Sequence, residues 1–305
     1  MNTRRTKSRT SGVEGAVRAL LLLSLLAPLL ADAQPVTFQP RAVEPTVGFR
    51  GHGESTWTTT GTQDIRAAGI PVKTGAVDRL NHHAAIVVIE AIEDGVVSEL
   101  GIQVLSQVTR DGEDTEDLAL DGLAVLGEGM PGDRSFERAD GDRLKKDQRK
   151  WFESQFGQAG AKGEPDKDPF AILLPEGPVE PGDSWDLDMD HIQAFFGGRY
   201  TIDRGASHAR ATLVDVVDRH GLPTGLFDVD VHIVPGTMEN AEFDTAAMAL
   251  TGRVELPVQG DVPWFAYDIT MKVDFDGIFK KGLIRAKAVM DLTMHGKEAH
   301  RPPST

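Results

Sequence analysis

The stretch "LFDVDVHIV", residues 226–234, decides the fold class because polar and apolar residues alternate along it. Asp228, Asp230 and His232 fall on one side of an extended chain, and the intervening apolar residues fall on the other. A period of two is typical of a strand with one face in water. The stretch therefore predicts an antiparallel sheet with one polar and one apolar side.

The same alternation recurs, and turn residues separate the runs. In "YDITMKVDFDG", residues 267–277, Ile269, Met271, Val273 and Phe275 fall on the apolar side. Asp-Gly and His-Gly pairs tolerate the positive φ of tight hairpins. They stand at 94–95, 111–112, 121–122, 140–141, 220–221, 276–277 and 295–296. We expect an α+β fold, predominantly antiparallel β, with two similar curved meander sheets and one or two covering helices.

Two stretches resemble each other. "HHAAIVVIEAIEDG" (82–95) and "HARATLVDVVDRHG" (208–221) share an opening His, an order of apolar and acidic residues, and a final Gly turn. Trp57 and Trp185 precede them at similar distances. A period of roughly 125 residues predicts a diverged internal repeat, the size of one small domain. Chance similarity of a single hairpin is the alternative.

The N-terminus is typical of an export signal. Basic residues precede the apolar run "ALLLLSLLAPLL" (19–30), and Ala31-Asp32-Ala33 follows it in the small-x-small order that a signal peptidase cleaves. This run is shorter than the about 20 residues that span a bilayer, and no later segment is long enough either. We expect a mature chain without a transmembrane segment, located in the periplasm or secreted.

These patterns divide the chain into segments. We expect a signal peptide at 1–33, a flexible segment at 34–53, a first β-rich half at 54–160, a linker at 161–181, a second β-rich half at 182–296 and a flexible tail at 297–305.

Helices are expected in two places. "DRLKKDQRKWFESQFG" (142–157) has helical spacing of Leu144, Gln148 and Phe152 and predicts a helix at about 143–156 that ends at Gly157. A shorter helix is predicted in "DMDHIQAFFGG" (188–198), with Asp188 as the N-cap.

The stretch "LPEGPVEPGDSW" (174–185) is expected to be a joint between the two halves. Its prolines fix φ and remove amide donors, so it should run extended with little pairing. We expect a turn at Gly182-Asp183 and a buried Trp185 at the start of the second half.

Charge and cysteine content limit the function classes. Removal of residues 1–33, with five basic and two acidic residues, moves the formal net charge from -15 to -18. Such a chain should repel nucleic acid and anionic lipid headgroups and should be soluble. The absence of cysteine excludes disulfides and a lipid-modified N-terminal cysteine.

Candidate cofactor and metal motifs each have a simpler interpretation. "GEGMPG" (127–132) matches a dinucleotide pattern, but Pro131 and a turn follow where a helix N-terminus is needed. Asp186, Asp188 and Asp190 alternate as in a calcium loop, but they also suit a helix N-terminus. Their spacing lacks the Gly and Glu of an EF-type loop.

Histidines give no clear metal site either. Asp228, Asp230 and His232 could bind a metal with a partner strand, although an exposed polar face explains the same spacing. His82 and His83 are adjacent, so on a strand they point to opposite faces. We expect no cofactor and no metal.

Catalytic and ligand-binding residues remain open. No Gly-x-Ser-x-Gly is present, and the neighbours Ser207 and His208 should diverge on a strand. Catalytic residues are therefore unknown. The tryptophans could line a carbohydrate or lipid site or could pack in the core; they are Trp57, Trp151, Trp185 and Trp264.

The order formed by "LALDGLAVLGEG", the predicted helix and "LPEGPVEPGDSW" resembles uncharacterised exported bacterial β-rich proteins, a domain of unknown function. Those proteins share a Leu-Pro…Val…Gly-Asp-x-Trp segment. The resemblance covers roughly residues 115–235. It implies a β-rich fold with an inserted helix and an exported location, and it brings no activity and no site residues.

The function expected from the sequence is an exported soluble non-enzymatic protein. It would carry a lipophilic ligand or act as an envelope accessory protein, with a lipophilic small molecule or an envelope protein as partner and no nucleic acid. The alternative is an exported hydrolase or metal-dependent enzyme. That alternative predicts that Asp228, His232 and His208 converge in a cleft.

Overall fold

The computed structural model describes residues 35–39, 44–159, 170–195, 200–239, 241–260, 264–281 and 284–301. Its strands are β1 (Arg50–Ala67), β2 (Ile70–Glu93), β3 (Val96–Asp111), β4 (Asp114–Glu116), β5 (Ala124–Glu128), β6 (Ser135–Arg138), β7 (Ser184–Asp186), β8 (Tyr200–Ile202), β9 (His208–Arg219), β10 (Leu222–Ile233), β11 (Pro235–Met238), β12 (Ala241–Pro257), β13 (Phe265–Lys281) and β14 (Ile284–Arg301). The α-helices are α1 (Lys146–Phe156) and α2 (Met189–Phe195).

The strands form one large antiparallel sheet in the order β6-β5-β3-β2-β1-β14-β13-β12-β10-β9-β7, with β4 paired to β3 and β11 paired to β12 and β8. The predominance of antiparallel β structure is confirmed. The expectation of two separate meander sheets was wrong, because β1 pairs with β14 from His52↔Arg301 to Ala67↔Ala286. This long pairing joins the two predicted halves into one sheet.

One face of the sheet is apolar, and we call it the inner face. A row of directly opposed residues crosses it from Trp57 to Trp185, by way of Gly296, Ile269, Gly252, Val229 and Ala211. Opposed residues on neighbouring antiparallel strands point to the same side. The alternation predicted for 226–234 is therefore confirmed, with Phe227, Val229 and Val231 buried.

Two large hydrophobic cores lie on this inner face, and a third, small cluster of Ala246, Phe275 and Ala288 lies on β12, β13 and β14. In the first core, Val97, Ile102 and Val104 from β3 pack with Phe152 of α1. In the second core, residues of β9 and β10, including Phe227, pack with Phe38 of the N-terminal segment. The central strands β1, β14 and β13 lie between the two cores.

Both predicted helices are present. Helix α1 spans Lys146–Phe156 and ends at Gly157, and Gln148 and Phe152 are its buried residues. In front of α2, the Oδ1 of Asp188 accepts the amide of Asp190 at 2.8 Å, as an N-cap does. The predicted stop at Gly197-Gly198 lies outside the described residues. Within the described residues, no helix is both long and apolar enough to cross a membrane.

The proposed joint contains a tight turn. The amide of Asp183 donates to the carbonyl of Glu180 at 3.0 Å, and Gly182 has φ +98°. Pro181 and Gly182 are thus the central residues of this turn, one residue earlier than expected. Trp185 is half-buried rather than fully buried, and its Nε1 donates to the carbonyl of Leu173 at 3.2 Å.

The chain ends contain ordered packing where flexible segments were expected. In the 34–53 segment, Phe38 is only 5% exposed, and Val36 forms a bridge with Val179. At the other end, β14 runs through Arg301, so Glu298 and His300 are strand residues rather than part of a tail. The N-terminal segment is ordered because Phe38 packs in a hydrophobic core, and the C-terminal residues are ordered because β14 pairs with β1 and β13.

The two hairpins of the predicted repeat share their turn and their neighbours. Asp94-Gly95 and His220-Gly221 both have positive φ, at 51° and 77° and at 56° and 79°. In each case the strand that contains the tryptophan pairs with the first strand of the hairpin, giving β1-β2-β3-β5 and β7-β9-β10-β12. This common order agrees with a duplication, which stays a prediction.

Candidate binding cleft

A cleft of about 940 Å³ lies on the inner face between the two cores. Helix α1 forms one wall, and strands β1, β2, β3, β13 and β14 form the floor and the opposite wall. Aromatic and imidazole rings dominate its lining, which includes Phe49, Trp57, His83, Trp151, Phe265 and His300. Clefts of this size and composition are typical of small-molecule sites.

The floor of the cleft contains Trp57, which lies over Gly296. A Cβ added to Gly296 would lie 2.6 Å from the Trp57 ring. Because glycine has no side chain, the large ring can lie flat across the neighbouring strand. The ring of Tyr267 lies 6.1 Å from that of Trp57, centroid to centroid.

A series of rings continues along one side of the cleft. The Phe265 ring stacks on the His300 imidazole with centroids 4.4 Å apart. Phe170 packs on Phe265 at 4.8 Å, and Phe265 lies 6.4 Å from Tyr267. These rings provide a broad apolar surface beside polar ring nitrogens and a phenol.

On the opposite side, α1 places Trp151 over the cleft. Its indole packs edge-on against the His83 imidazole at 6.0 Å and against Phe152 at 5.1 Å. Trp151 is half-buried, whereas Phe152 is fully buried in the first core. The helix therefore contributes one residue to the core and one to the wall of the cleft.

A carboxylate lies among these rings. Glu298 accepts hydrogen bonds from the Tyr267 phenol and from the His300 Nε2, the latter at 2.6 Å. The Glu298 side chain is 24% exposed. Successive strands place His83, Ser55, Glu298 and Tyr267 directly opposite one another. The inner face thus has a polar row beside its apolar residues, and Asn81, Thr59 and Arg79 are further polar residues on the same face.

The surroundings alter the acidity of this row. Burial would raise the pKa of the Glu298 carboxyl, but hydrogen bonds from His300 and Tyr267 and the nearby imidazoles outweigh it, so this pKa lies below its ordinary value. Burial and the interaction with Glu298 raise the pKa of the Tyr267 phenol. Burial lowers the pKa of the His83 imidazole. At neutral pH the row contains an ionised carboxylate and a protonated phenol.

This arrangement suits recognition better than nucleophilic catalysis. An ionised carboxylate has room for about four hydrogen bonds, so Glu298 could accept one from a ligand hydroxyl or amine. A serine triad needs the histidine between the nucleophile and the acid. Here Ser55 lies between His83 and Glu298 in the row.

Beyond the cleft, the apolar inner face continues along the central strands. Ile269, Met271 and Val273 of β13 lie beside Leu292 and Met294 of β14, and Met271 is directly opposite Met294. All of these side chains are half-buried. An elongated apolar ligand in the cleft could extend along this stripe.

The residues expected to converge in an enzyme cleft lie on the outer face instead. The rings of His208 and His232 stack at 5.6 Å, and the Nε2 of His208 lies 3.7 Å from the Oδ2 of Asp230. These side chains of His208 and Asp230 are 61% and 66% exposed. Asp228 forms an ion pair with Arg253 at 2.8 Å.

Asp228 and Asp230 line an open depression of about 960 Å³ on the outer face. Two of its carboxylates are in ion pairs, since Lys297 contacts Asp268 at 2.6 Å and Arg253 contacts Asp228. The depression is therefore a solvated ion-pair surface.

The other metal candidates are also separated. Asp186 pairs with Arg210 and Asp190 with Arg204, while Asp188 caps α2. Within the described residues, no group of three His, Asp or Glu side chains is arranged to hold a metal ion.

His82 and His83 point to opposite faces, as predicted. His82 contacts the hydroxyls of Thr56 at 2.8 Å and Ser106 at 2.9 Å, whereas His83 contacts Trp151 across the cleft. Ser207 and His208 form no dyad, because the Ser207 hydroxyl accepts the amide of Val234 at 2.9 Å.

"GEGMPG" forms the end of β5 and the turn that leads into β6 at Ser135. No helix follows these glycines, so the interpretation as a turn and a strand is confirmed. The tryptophans divide between the two expected roles. Trp57 and Trp151 line the cleft, whereas Trp185 packs on the second core and Trp264 is buried.

The polar row was missed at the sequence level. Glu298 and His300 were assigned to a tail, and no role was given to Phe265 and Tyr267. The available signal was the period of two, since Glu-x-His and Phe-x-Tyr each place both members on one face.

No known protein family matches the sequence, and no curated protein matches it. Among solved structures, an outer membrane channel from Pseudomonas putida F1 is similar over 86% of this chain and 98% of that chain. The sequence identity is 9% and the TM-score is 0.20. A likeness at that level carries no argument about fold or function.

Proposed function

We propose that this protein is an exported, non-enzymatic carrier of an elongated lipophilic ligand. The ligand would lie in the cleft between α1 and the central strands, with its apolar part along the inner face. Its polar end would meet Glu298, His300 and Tyr267.

The observation that carries this proposal is the uncovered apolar surface between the two cores. α1 covers the first core, and the N-terminal segment and α2 cover the second. Between them, Ile269, Met271 and Met294 are only half-buried. An exposed apolar surface that is continuous with a cleft is typical of a ligand-binding groove.

Export is supported by the N-terminal pattern of basic residues, apolar run and small residues. The resemblance of residues 115–235 to uncharacterised exported β-rich bacterial proteins favours the same location. A carrier for a water-insoluble molecule is useful in an aqueous compartment between membranes or outside the cell. An accessory role without a ligand is the competing proposal.

Mass spectrometry of an organic extract tests the proposal. The protein would be purified from the exporting cell without detergent, and the extract compared with that of an unrelated exported protein. A lipid present at about one molecule per chain supports the carrier. An extract without any enriched lipid favours the accessory role.

Matched variants then locate the ligand. Met271→Gln with Met294→Gln changes the polarity of the inner stripe at nearly constant volume, and Lys272→Gln is the control on the outer face. The neutral fluorophore N-phenyl-1-naphthylamine should bind the control as it binds the wild type and should bind the double variant more weakly. If the double variant and the control bind the fluorophore with equal affinity, the fluorophore does not bind at Met271 and Met294.

A further inference from the structure

Two neighbouring hairpins form a basic, apolar end of the sheet. Residues 65–77, around the β1–β2 turn, contain Arg66 and Lys73 and no acidic residue. Residues 277–290, around the β13–β14 connection, contain four basic residues and no acidic residue. Arg66 is directly opposite Lys287, so the two hairpins lie side by side. This charge is notable in a chain with a formal net charge of -15.

The same end exposes apolar side chains. Ile70 and Val72, beside the β1–β2 turn, are 69% and 66% exposed. They are the two most exposed large apolar side chains in the described part of the chain. Phe279 of the neighbouring hairpin, directly opposite Ala286, is also exposed. We call the surface of these three residues the hairpin end.

Acidic residues from neighbouring positions compensate only part of the positive charge. Three of the cations have ion-pair partners: Arg66 with Asp64, Lys280 with Glu242 and Lys287 with Asp276. Asp244 of β12 is a further exposed carboxylate nearby in sequence. Lys73 and Arg285 are exposed and belong to the two acid-free segments, and Arg285 also interacts with the Glu242 carboxylate. The basic character is therefore concentrated towards the turns.

We propose that the hairpin end docks on an anionic lipid bilayer. A turn that projects apolar side chains between basic residues suits the boundary between headgroups and acyl chains, where apolar groups insert and cations meet lipid phosphates. The negative charge of the rest of the chain opposes this little, because salt screens charges beyond about 8 Å at physiological ionic strength. The docking goes beyond ligand carriage and does not depend on the cleft.

Anionic lipid phosphates complement the basic charge of the hairpin end, and its shape favours a bilayer over another protein as the partner. Ile70 directly follows a two-residue turn at Ala68 and Gly69, both with positive φ, and Val72 lies two residues further along β2, so both are close to the end of this hairpin. A protein partner would need a matching pocket, whereas a bilayer accepts a protruding apolar tip without one.

Vesicle flotation tests the docking with the chain recovered from the exporting cell. Vesicles of phosphatidylglycerol and phosphatidylethanolamine should bind the wild type, and vesicles of phosphatidylcholine alone should bind it much less. Ile70→Ser with Val72→Ser, and separately Lys73→Glu with Arg285→Glu, should each lower the partition coefficient about tenfold or more. Val47→Ser with Leu126→Ser, exposed apolar positions elsewhere, is the control and should bind as the wild type does.

A depth measurement distinguishes insertion from adsorption. Tryptophan introduced as Ile70→Trp should be quenched by brominated lipid acyl chains, and tryptophan introduced as Leu126→Trp should not. Equal binding of the tip variants and the control would overturn the proposal, as would equal binding to both kinds of vesicle. A change of oligomeric state in the tip variants without vesicles would assign the surface to a second copy of the chain and also overturn it.

Discussion

At the scale of single residues, Glu298 is the polar centre of the cleft. Two donors from neighbouring strand positions fix its carboxylate, and their geometry holds its pKa below the ordinary value. Such charge-assisted hydrogen bonds are stronger than neutral ones. We therefore expect Glu298 to contribute to the stability of the central strands.

Glu298→Gln should lower the free energy of unfolding at pH 7 by about 1 to 2 kcal/mol. This loss is smaller than the loss expected at a fully buried site, because the side chain is partly exposed and water screens its charge. A folded-state pKa below the unfolded one gives stability that is present above the unfolded pKa, about 4.3, and is lost as the pH falls through the folded pKa. The difference between wild type and variant should therefore shrink in acid.

Chemical denaturation at pH 7 and at pH values below 4 measures this difference. Glu54→Gln, on the outer face of β1, is the matched control and should have little effect at any pH. A wild-type-to-variant difference that stays constant into acid would contradict the role assigned to the carboxylate.

Trp57 and Gly296 should be energetically coupled. Gly296→Ala should destabilise the protein by about 1 to 3 kcal/mol, because the new Cβ would overlap the Trp57 ring. In a Trp57→Leu background the same change should cost clearly less. Gly177→Ala, where nothing lies within 4 Å, is the control. An equal loss of stability in both backgrounds would show that the Trp57 ring is not the cause of the destabilisation by Gly296→Ala.

At the scale of elements, α1 contributes neighbouring residues to two functions. Phe152→Ala should lower the free energy of unfolding by about 3 to 5 kcal/mol, since it leaves a cavity in the first core. Trp151→Ala should cost less stability and should weaken binding of N-phenyl-1-naphthylamine. Denaturation and fluorescence titration of both variants check this division. Unchanged affinity in Trp151→Ala would remove α1 from the binding wall.

Elements with a local signal were predictable from the sequence. The period of two assigned residues 226–234 and 267–277 to strands with the correct apolar face, and spacing with a terminal Gly located α1. Asp188 was correctly placed as the cap of α2. Each of these features depends on neighbouring residues alone.

Features that depend on distant pairing were not predictable. The pairing of β1 with β14 joins residues more than 200 positions apart, and no local pattern encodes it. When only the sequence is read, this pairing is not visible, and Glu298 and His300 look like part of a polar tail. The residues that line the cleft were not predictable for the same reason, because its walls come from α1, the first hairpins and the last two strands.

At the scale of the whole molecule, the β1–β14 pairing should make the two halves unfold together. Hydrogen exchange measured by mass spectrometry under increasing denaturant should give the same opening free energy for hairpins 82–109 and 208–234. The reason is that each half provides a central strand of the same sheet. Exchange of one hairpin at clearly lower denaturant would show that the halves are separate units.

The central claim is that the uncovered inner face between the two cores holds a lipophilic ligand. Mass spectrometry of an organic extract from detergent-free, purified protein tests it most directly. We expect one enriched lipid species at about one molecule per chain in the wild type, and a reduced amount in the Met271→Gln, Met294→Gln variant. An extract with no enriched lipid, or the same amount in both proteins, would contradict the claim.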